Sequence, residues 1–567
     1  MQFQNNDNNK FLITFFILFA VLFATDYFFG QYGRENTQAV QTEQKGDTQK
    51  ISKNDKSLKN ETVTIAKSLP KLEHIEFSNS TLDIKVNPVG GIIDGAILKK
   101  YKEEPGNSIN NKSINILSGS DSQNPYYISI TYDDNNNKKL TDKNTIWNVS
   151  ETDKILSIKT NNGLIIERKF SLDDVIEDNN YTVTVTDKIT NTSKNAVEFS
   201  KSVNIFRKNP KIYNYAVVHE GIVANTDQKV AEIKYEKIKN GDVLQNSQWF
   251  GFTDKYWLCA VLNRTENTSV VLNRNSNTYE LSTEDDFLIK LNPGESRNIS
   301  YTVFTGAKDI NILNEYGKKL NLDKFDRAID FGWFFLLTKP LTQFMGWLSS
   351  IIPNMGIVIL LLTLLFRFLT YPLLKKSFIS IAKMKAIQPQ ISALQRMYSN
   401  DKMRLNRELV AIYQREHISP LSGCLPMLLQ APIFFCLYKV FFISISMRHA
   451  PLFGWIQDLS EPDHCYVTNL FGLIDWTLPS FLQIGIWPII MGLTMIVQQK
   501  ISSSINKSNT QNKTPEQKTQ EKIMYFMPIL FTYISISFPV CVIVYWTISN
   551  IIGIIQQQYV TKQINKK

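Results

Sequence analysis

Arg367 is the residue in this chain whose position most needs a chemical explanation. It stands in Gly356-Ile-Val-Ile-Leu-Leu-Leu-Thr-Leu-Leu-Phe-Arg-Phe-Leu-Thr-Tyr-Pro372, a run otherwise free of charge. Lys375 follows eight residues later, or about 12 Å along a helix. An arginine can snorkel toward an interface, and that is the plain alternative; the depth here makes it strained. The later apolar runs contain no Asp or Glu to pair with the guanidinium. An intramembrane cation without a carboxylate implies water or a transient partner.

Other apolar runs carry uncharged polar groups that suit a wet cavity. They are Thr363, Gln430, Thr494, Gln498, Thr532, Ser535, Ser537, Ser549 and Asn550. Each alone is an ordinary interhelical hydrogen bonder. Together with Arg367 they outline a hydrophilic groove. No HExxH or GxSxG motif occurs, and no histidine lies within an apolar run, which argues against a hydrolase. Cys259, Cys424, Cys436, Cys465 and Cys541 are scattered without a CxxC pair. They read as packing residues, and neither a cofactor nor a metal is expected.

The elements that must position these groups follow from hydropathy. In a chain of 567 residues, 43% hydrophobic overall, the average conceals two unlike halves. Residues 11–29 form an apolar stretch about long enough to cross a bilayer, and Ala24-Thr25-Asp26-Tyr27 offers no clean cleavage site. Residues 1–35 therefore read as an uncleaved anchor. Four further apolar regions cover 355–374, 421–442, 481–498 and 525–555. The last exceeds one crossing and holds Pro539 at its middle, so it divides into spans 525–538 and 540–555. These two are short, about 21–24 Å as helices, and imply a locally thinned bilayer.

Charge then orients the spans, because short cytoplasmic loops are enriched in Lys and Arg. The net charge of +10 is distributed unevenly. The 375–417 segment carries Lys375, Lys376, Lys383, Lys385, Arg396, Lys402, Arg404, Arg407 and Arg415. The next loop holds Arg448 against Asp458, Glu461, Asp463 and Asp475, and the one after it is again lysine-rich. Six spans with both termini cytoplasmic satisfy every loop, including the basic tail 561–567.

Between the first two spans the pattern changes. Residues 36–70 are polar and low in aromatics, which suits a flexible linker. From 71 to 308, alternating runs such as Tyr181-Thr-Val-Thr-Val-Thr186 and Ser300-Tyr-Thr-Val-Phe304 predict a two-sheet antiparallel β-sandwich. Asn87-Pro-Val-Gly-Gly91 reads as a β-turn and not a phosphate loop. His74 and His219 have no obvious partners at metal-ligand spacing. The segment 309–354, with Phe331, Trp333, Phe334, Phe335 and Trp347 among charged residues, suits a helical element at the membrane interface.

An ordered set of motifs carries a family resemblance. Trp249-Phe-Gly-Phe-Thr-Asp-Lys-Tyr-Trp257, Phe325-Asp-Arg-Ala-Ile-Asp-Phe-Gly-Trp-Phe-Phe-Leu-Leu-Thr-Lys-Pro340, Arg367-Phe-Leu-Thr-Tyr-Pro372, Met384-Lys-Ala-Ile-Gln-Pro389, Pro420-Leu-Ser-Gly-Cys-Leu-Pro426, Gln430-Ala-Pro-Ile-Phe434 and Ile554-Ile-Gln-Gln-Gln558 follow in sequence. The chain resembles the YidC insertases of Gram-negative bacteria over nearly its whole length. The resemblance implies a periplasmic β super-sandwich and a five-helix insertase core at 355–560, with a cytoplasmic helical hairpin at 375–417. It makes Arg367 the groove arginine and Thr363 the threonine one turn above it. Two departures stand out: Phe538-Pro-Val-Cys-Val542 replaces a Phe-Pro-x-Gly-Leu turn, and Trp546 occupies a position where tyrosine is common.

A mechanism follows from these expectations. A client's polar or acidic segment enters the groove toward Arg367, Thr363, Gln430, Thr494, Gln498, Thr532, Ser535 and Trp546. Its apolar segment slides along Met427, Leu428, Phe434, Met527 and Leu530 on the lipid side. Burial of apolar surface at roughly 25 cal/mol per Å² drives the step, and the membrane potential adds about 2.3 kcal/mol per acidic charge at 100 mV. Expected partners are nascent membrane proteins, membrane lipids, the Sec translocon, and the ribosome or signal-recognition machinery through the basic loops. No specific nucleic-acid sequence is read, and a monomer is sufficient. The rival reading is a secondary transporter of a small anion, which inverted repeats would support; none is evident.

Overall fold

The computed structural model describes residues 72–565 apart from 107–110, 137, 151, 173–174, 214–217, 228, 264–267, 285–287, 333, 399–400, 417–424, 475–478, 480–481 and 505–514. For 385, 402, 425–429, 472, 502–504, 515–524 and 565 it describes the backbone only. The expected anchor at 1–35, linker at 36–70 and last two tail residues lie outside the described residues. The chain separates into two compact units divided between Asp330 and Phe331.

The first unit is built from two antiparallel sheets of eleven and nine described strands. In the larger sheet Tyr126–Asp134 pairs with Val197–Lys208, which pairs in turn with Thr278–Glu284. In the other sheet Leu164–Ser171, Thr182–Asn191 and Ser296–Ala307 lie side by side. Alternation is the cause: along Leu164–Ser171, Leu164, Ile166, Arg168 and Phe170 are buried while the residues between them are not. Arg168 replaces an apolar residue on that inward face. Its Nε and Nη2 donate to both Asp187 oxygens at 2.8 and 2.7 Å, and Nη1 and Nη2 reach the carbonyls of Gly91 and Ile130. Asp187 also accepts from the Tyr132 hydroxyl at 2.6 Å, so the pair bridges the two sheets with its hydrogen bonds satisfied.

The 87–91 segment is the expected turn. Val89 N–H donates to the Asn87 side chain at 2.9 Å, and Gly91 holds φ +58°. A Cβ at Gly91 would meet Trp147 Nε1 at 2.9 Å and Arg168 Nη1 at 3.0 Å, so the turn needs glycine to admit the arginine. His74 does find a partner, Asp94 at 3.0 Å, twenty residues away across the sheet. Cys259, Cys436 and Cys541 are buried and Cys465 is half-buried, none of the four in a disulfide, and Cys424 lies outside the described residues.

Helix α1, Ile310–Lys319, closes the first unit. Asp309 caps it through the Asn311 and Ile312 N–H groups, and Tyr316 accepts from Tyr181 N–H at 2.8 Å. The segment grouped in the sequence as 309–354 therefore divides. Residues 309–330 pack into the β unit, because Tyr316 and Phe325 are buried against Phe304; residues from Phe331 on belong to the helical unit.

That second unit contains α2 (Phe335–Ile351), α3 (Met355–Ala386), α4 (Gln388–Met397), α5 (Lys402–Arg415), α6 (Leu425–Ile443), α7 (Ile486–Ser504), α8 (Pro515–Ile534) and α9 (Val540–Asn565). Two stretches, Met355–Met384 and Val540–Ile564, are long and apolar enough to cross a membrane; Gln430–Ile443, Ile486–Ile501 and Tyr525–Ser537 are shorter apolar helices. Pro539 does separate α8 from α9, after a 3-10 turn at Ser535–Ser537. Both α3 and α9 run further than the apolar pattern indicates. At 26 residues, α9 is about 39 Å long, so it is not the short span that the sequence suggested. The cause is a seam that continues past Leu374 on α3 and past Ile555 on α9: Leu374 and Phe378 pack with Val560, flanked by Tyr371, Ile379 and Ile564. The expected hairpin is accordingly α4 and α5, joined by Ile387, Ile391 and Ile412.

Candidate functional site

Arg367 on α3 is 9% exposed. Its Nε donates to Ser549 Oγ on α9 at 2.9 Å. Its guanidinium lies flat against Gly553, where an added Cβ would sit 3.2 and 3.3 Å from the two terminal nitrogens. Tyr545, Ser549 and Gly553 recur every four residues and so share one face of α9. Tyr545 accepts from Gln430 Nε2 on α6 at 2.7 Å. A relay of polar side chains thus runs from α6 along this face of α9 to Arg367 on α3.

Thr363 stands one turn from Arg367, is fully buried, and donates to the Ile359 carbonyl at 2.7 Å. Asn550 Nδ2 donates to Thr494 Oγ1 at 3.1 Å, which ties α9 to α7. Thr532 donates to the Pro528 carbonyl and Ser535 to the Thr532 carbonyl. Thr532 packs against Gly492, where no Cβ fits, so α7 and α8 approach closely at that point. Gln498 is half-buried near the end of α7. Trp546 lies between Phe434 at 4.8 Å and Phe531 at 5.2 Å, an aromatic stack joining α6, α8 and α9.

The cation is not solitary in this arrangement. Among the described residues it makes no ion pair, but a hydroxyl and a glycine seat enclose it. Gln556 Nε2 lies 3.4 Å from the Arg367 carbonyl, while Gln556 Oε1 is buried without a hydrogen-bond partner among the described residues. A hydroxyl partner leaves the positive charge of the guanidinium unneutralised.

The sliding surface needs correction. Phe434 is 4% exposed and packs inward with Tyr438 and Trp546, because its aromatic partners all lie within the bundle. Met527 and Leu530 are half-buried. The outward face of α8 is carried instead by Tyr525, Phe526, Ile529 and Tyr533. Met427 and Leu428 lie on the first turn of α6, and their side chains are outside the described residues. The roles of Tyr545 and Gly553 escaped the sequence reading, although their four-residue spacing with Ser549 was available. Lys439, buried at 8% near the end of α6 and close to Gly332, was missed as well.

Known proteins match this architecture in both parts. The family described as YidC periplasmic domain matches residues 74–344, and the family described as 60Kd inner membrane protein matches 347–567. The membrane protein insertase YidC of Rickettsia prowazekii (strain Madrid E) is 34% identical over 99% of this chain and 100% of its own length. That of Rickettsia felis is 33% identical with the same coverage. The chain belongs to the YidC family of membrane protein insertases. A solved structure of an active YidC insertase with its first transmembrane domain resolved is 15% identical, covers 86% of this chain and 92% of its own, and superposes with a TM-score of 0.36. In YidC terms the boundary between the two family matches falls within α2, and Arg367 and its relay lie in the inner-membrane part. The anion-transporter reading draws no support from these relatives.

Proposed function

We propose that this chain inserts newly made membrane proteins into the bacterial inner membrane, with Arg367 as the polar station for the client. The observation that carries the reading is a guanidinium buried in an apolar helix and held by Ser549, with no carboxylate partner among the described residues. A charge so placed keeps its field available to an incoming carboxylate or backbone carbonyl. Family membership supports the same reading.

In this account the client's acidic or polar stretch displaces water beside Arg367 and uses the free Gln556 acceptor. Thr363, Gln430, Thr494, Gln498, Thr532 and Ser535 line the passage, and Trp546 sets its aromatic wall. The client's apolar stretch moves along the outward face of α8 and leaves into lipid. The bundle has six spans and cytoplasmic termini, with the β domain in the periplasm. The basic residues of α4 and α5 face the ribosome or signal-recognition machinery, and the Sec translocon shares some clients.

A photo-crosslinking side chain at position 430 tests this in vesicles during synthesis of a short membrane protein. The expected product is a covalent adduct with the nascent client that disappears when its apolar segment is deleted. Adducts to lipid alone would overturn the reading.

A further inference from the structure

The connection between α6 and α7 carries an apolar tip that the insertion mechanism does not use. Its stem is well fixed. Val467 N–H donates to the Ile484 carbonyl at 3.0 Å, Tyr466 bridges Gly485, and Thr468 donates to the Leu482 carbonyl at 2.7 Å. At the base, Asp463 accepts from Trp487 N–H at 2.8 Å and from Trp455 Nε1 at 2.9 Å, which caps α7 and locks the stem onto it.

Beyond this stem Leu470, Phe471, Leu473 and Ile474 are exposed at 51%, 57%, 83% and 44%. Leu470 and Phe471 hold φ +49° and +64°, which bulky L residues adopt only under constraint. The bonds from Phe471 N–H to Tyr466 and from Ile474 N–H to Asn469 keep them there. A folded turn that holds four large apolar side chains outward needs an apolar surface to receive them.

We infer that this tip is a lipid anchor, inserted among the acyl chains and headgroups at the end of α7. Continuity argues for lipid as the occupant. Leu493 and Val497 form an exposed apolar stripe on α7, and the stem that carries the tip is fixed to the first turn of the same helix through Asp463. Phe453, 71% exposed and in contact with Trp487 at 5.8 Å, adds an interfacial aromatic beside the stem. The anchor braces the start of α7, and with it Thr494, against forces transmitted while a client passes.

The inference rests on the membrane location of the helical unit, so the experiment carries a control for that location. A benzophenone side chain is placed at 473, at 368 on the outward face of α3, or at 243 on an exposed strand of the β unit. The full chain is reconstituted in phosphatidylethanolamine and phosphatidylglycerol vesicles and irradiated. Lipid adducts at 473 should approach those at 368 and exceed those at 243 by about tenfold. Adducts at 368 but only background at 473, or adducts at 473 to a second copy or to a client, would overturn the anchor. Background at 368 would refute the membrane placement itself.

Discussion

Gly553→Ala separates the positioning of Arg367 from the folding of the bundle. The added methyl carbon falls 3.2, 3.3 and 3.4 Å from Nη1, Nη2 and Cζ of the guanidinium, so the side chain must give by a few tenths of an ångström. Its Nε is tethered to Ser549 at 2.9 Å, and a charged hydrogen bond of this kind contributes about 1.5–3 kcal/mol. Stretching it forfeits part of that, on the order of 1 kcal/mol, which corresponds to about a fivefold change in rate if the bond matters for client passage. Alanine in a helix interior is meanwhile better than glycine by about 1 kcal/mol. Stability and activity should therefore move apart. Insertion of a protease-protected client into vesicles is expected to slow about fivefold, while thermal unfolding of the purified protein in detergent stays level or rises. Unchanged insertion in both Gly553→Ala and Gly553→Val, or insertion that falls only in step with the melting temperature, would refute the seat.

In the β unit, Asp187→Leu leaves Arg168 buried without its partner and should cost about 3–5 kcal/mol in denaturant unfolding, whereas Arg168→Met with Asp187→Leu should recover most of it. Burial lowers the pKa of the His219 imidazole, so the unfolded chain takes up a proton that the folded one resists. Stability from this site is complete above the unfolded value of about 6.5 and is lost as pH falls below it; a His219→Gln variant should show a flatter loss between about pH 8 and about pH 5.5. Phe434→Ala removes the ring between Tyr438 and Trp546 and should destabilise the bundle by about 3–5 kcal/mol, read as an earlier unfolding transition.

Most of the architecture was legible because it follows from periodicity. Period-two alternation in Tyr181–Thr186 and Ser300–Phe304 marked strands that run in the structure over Thr182–Asn191 and Ser296–Ala307, and Pro539 marked the break between α8 and α9. Helix ends were not legible: apolar composition stops at Lys375 in α3 and at Gln556 in α9, but Leu374, Phe378 and Val560 carry a contact that only pairing of α3 with α9 creates. Arg367 stood out because a charge in an apolar run is rare. Its partner did not, since Ser549 lies 182 residues away and a serine in a helix usually bonds its own backbone. The inward turn of Phe434 was hidden for a similar reason, because its aromatic neighbours belong to other helices.

The central claim is that Arg367 contributes an unneutralised positive charge to client passage. The direct measurement is the insertion rate of two clients that differ only by Glu or Gln in the translocated segment, with the parent, Arg367→Lys and Arg367→Gln proteins in energised vesicles. The account predicts that Arg367→Gln slows the Glu client strongly, that Arg367→Lys retains much of the rate, and that the Gln client is affected far less. Equal losses for both clients, or full activity of Arg367→Gln with the Glu client, would contradict it.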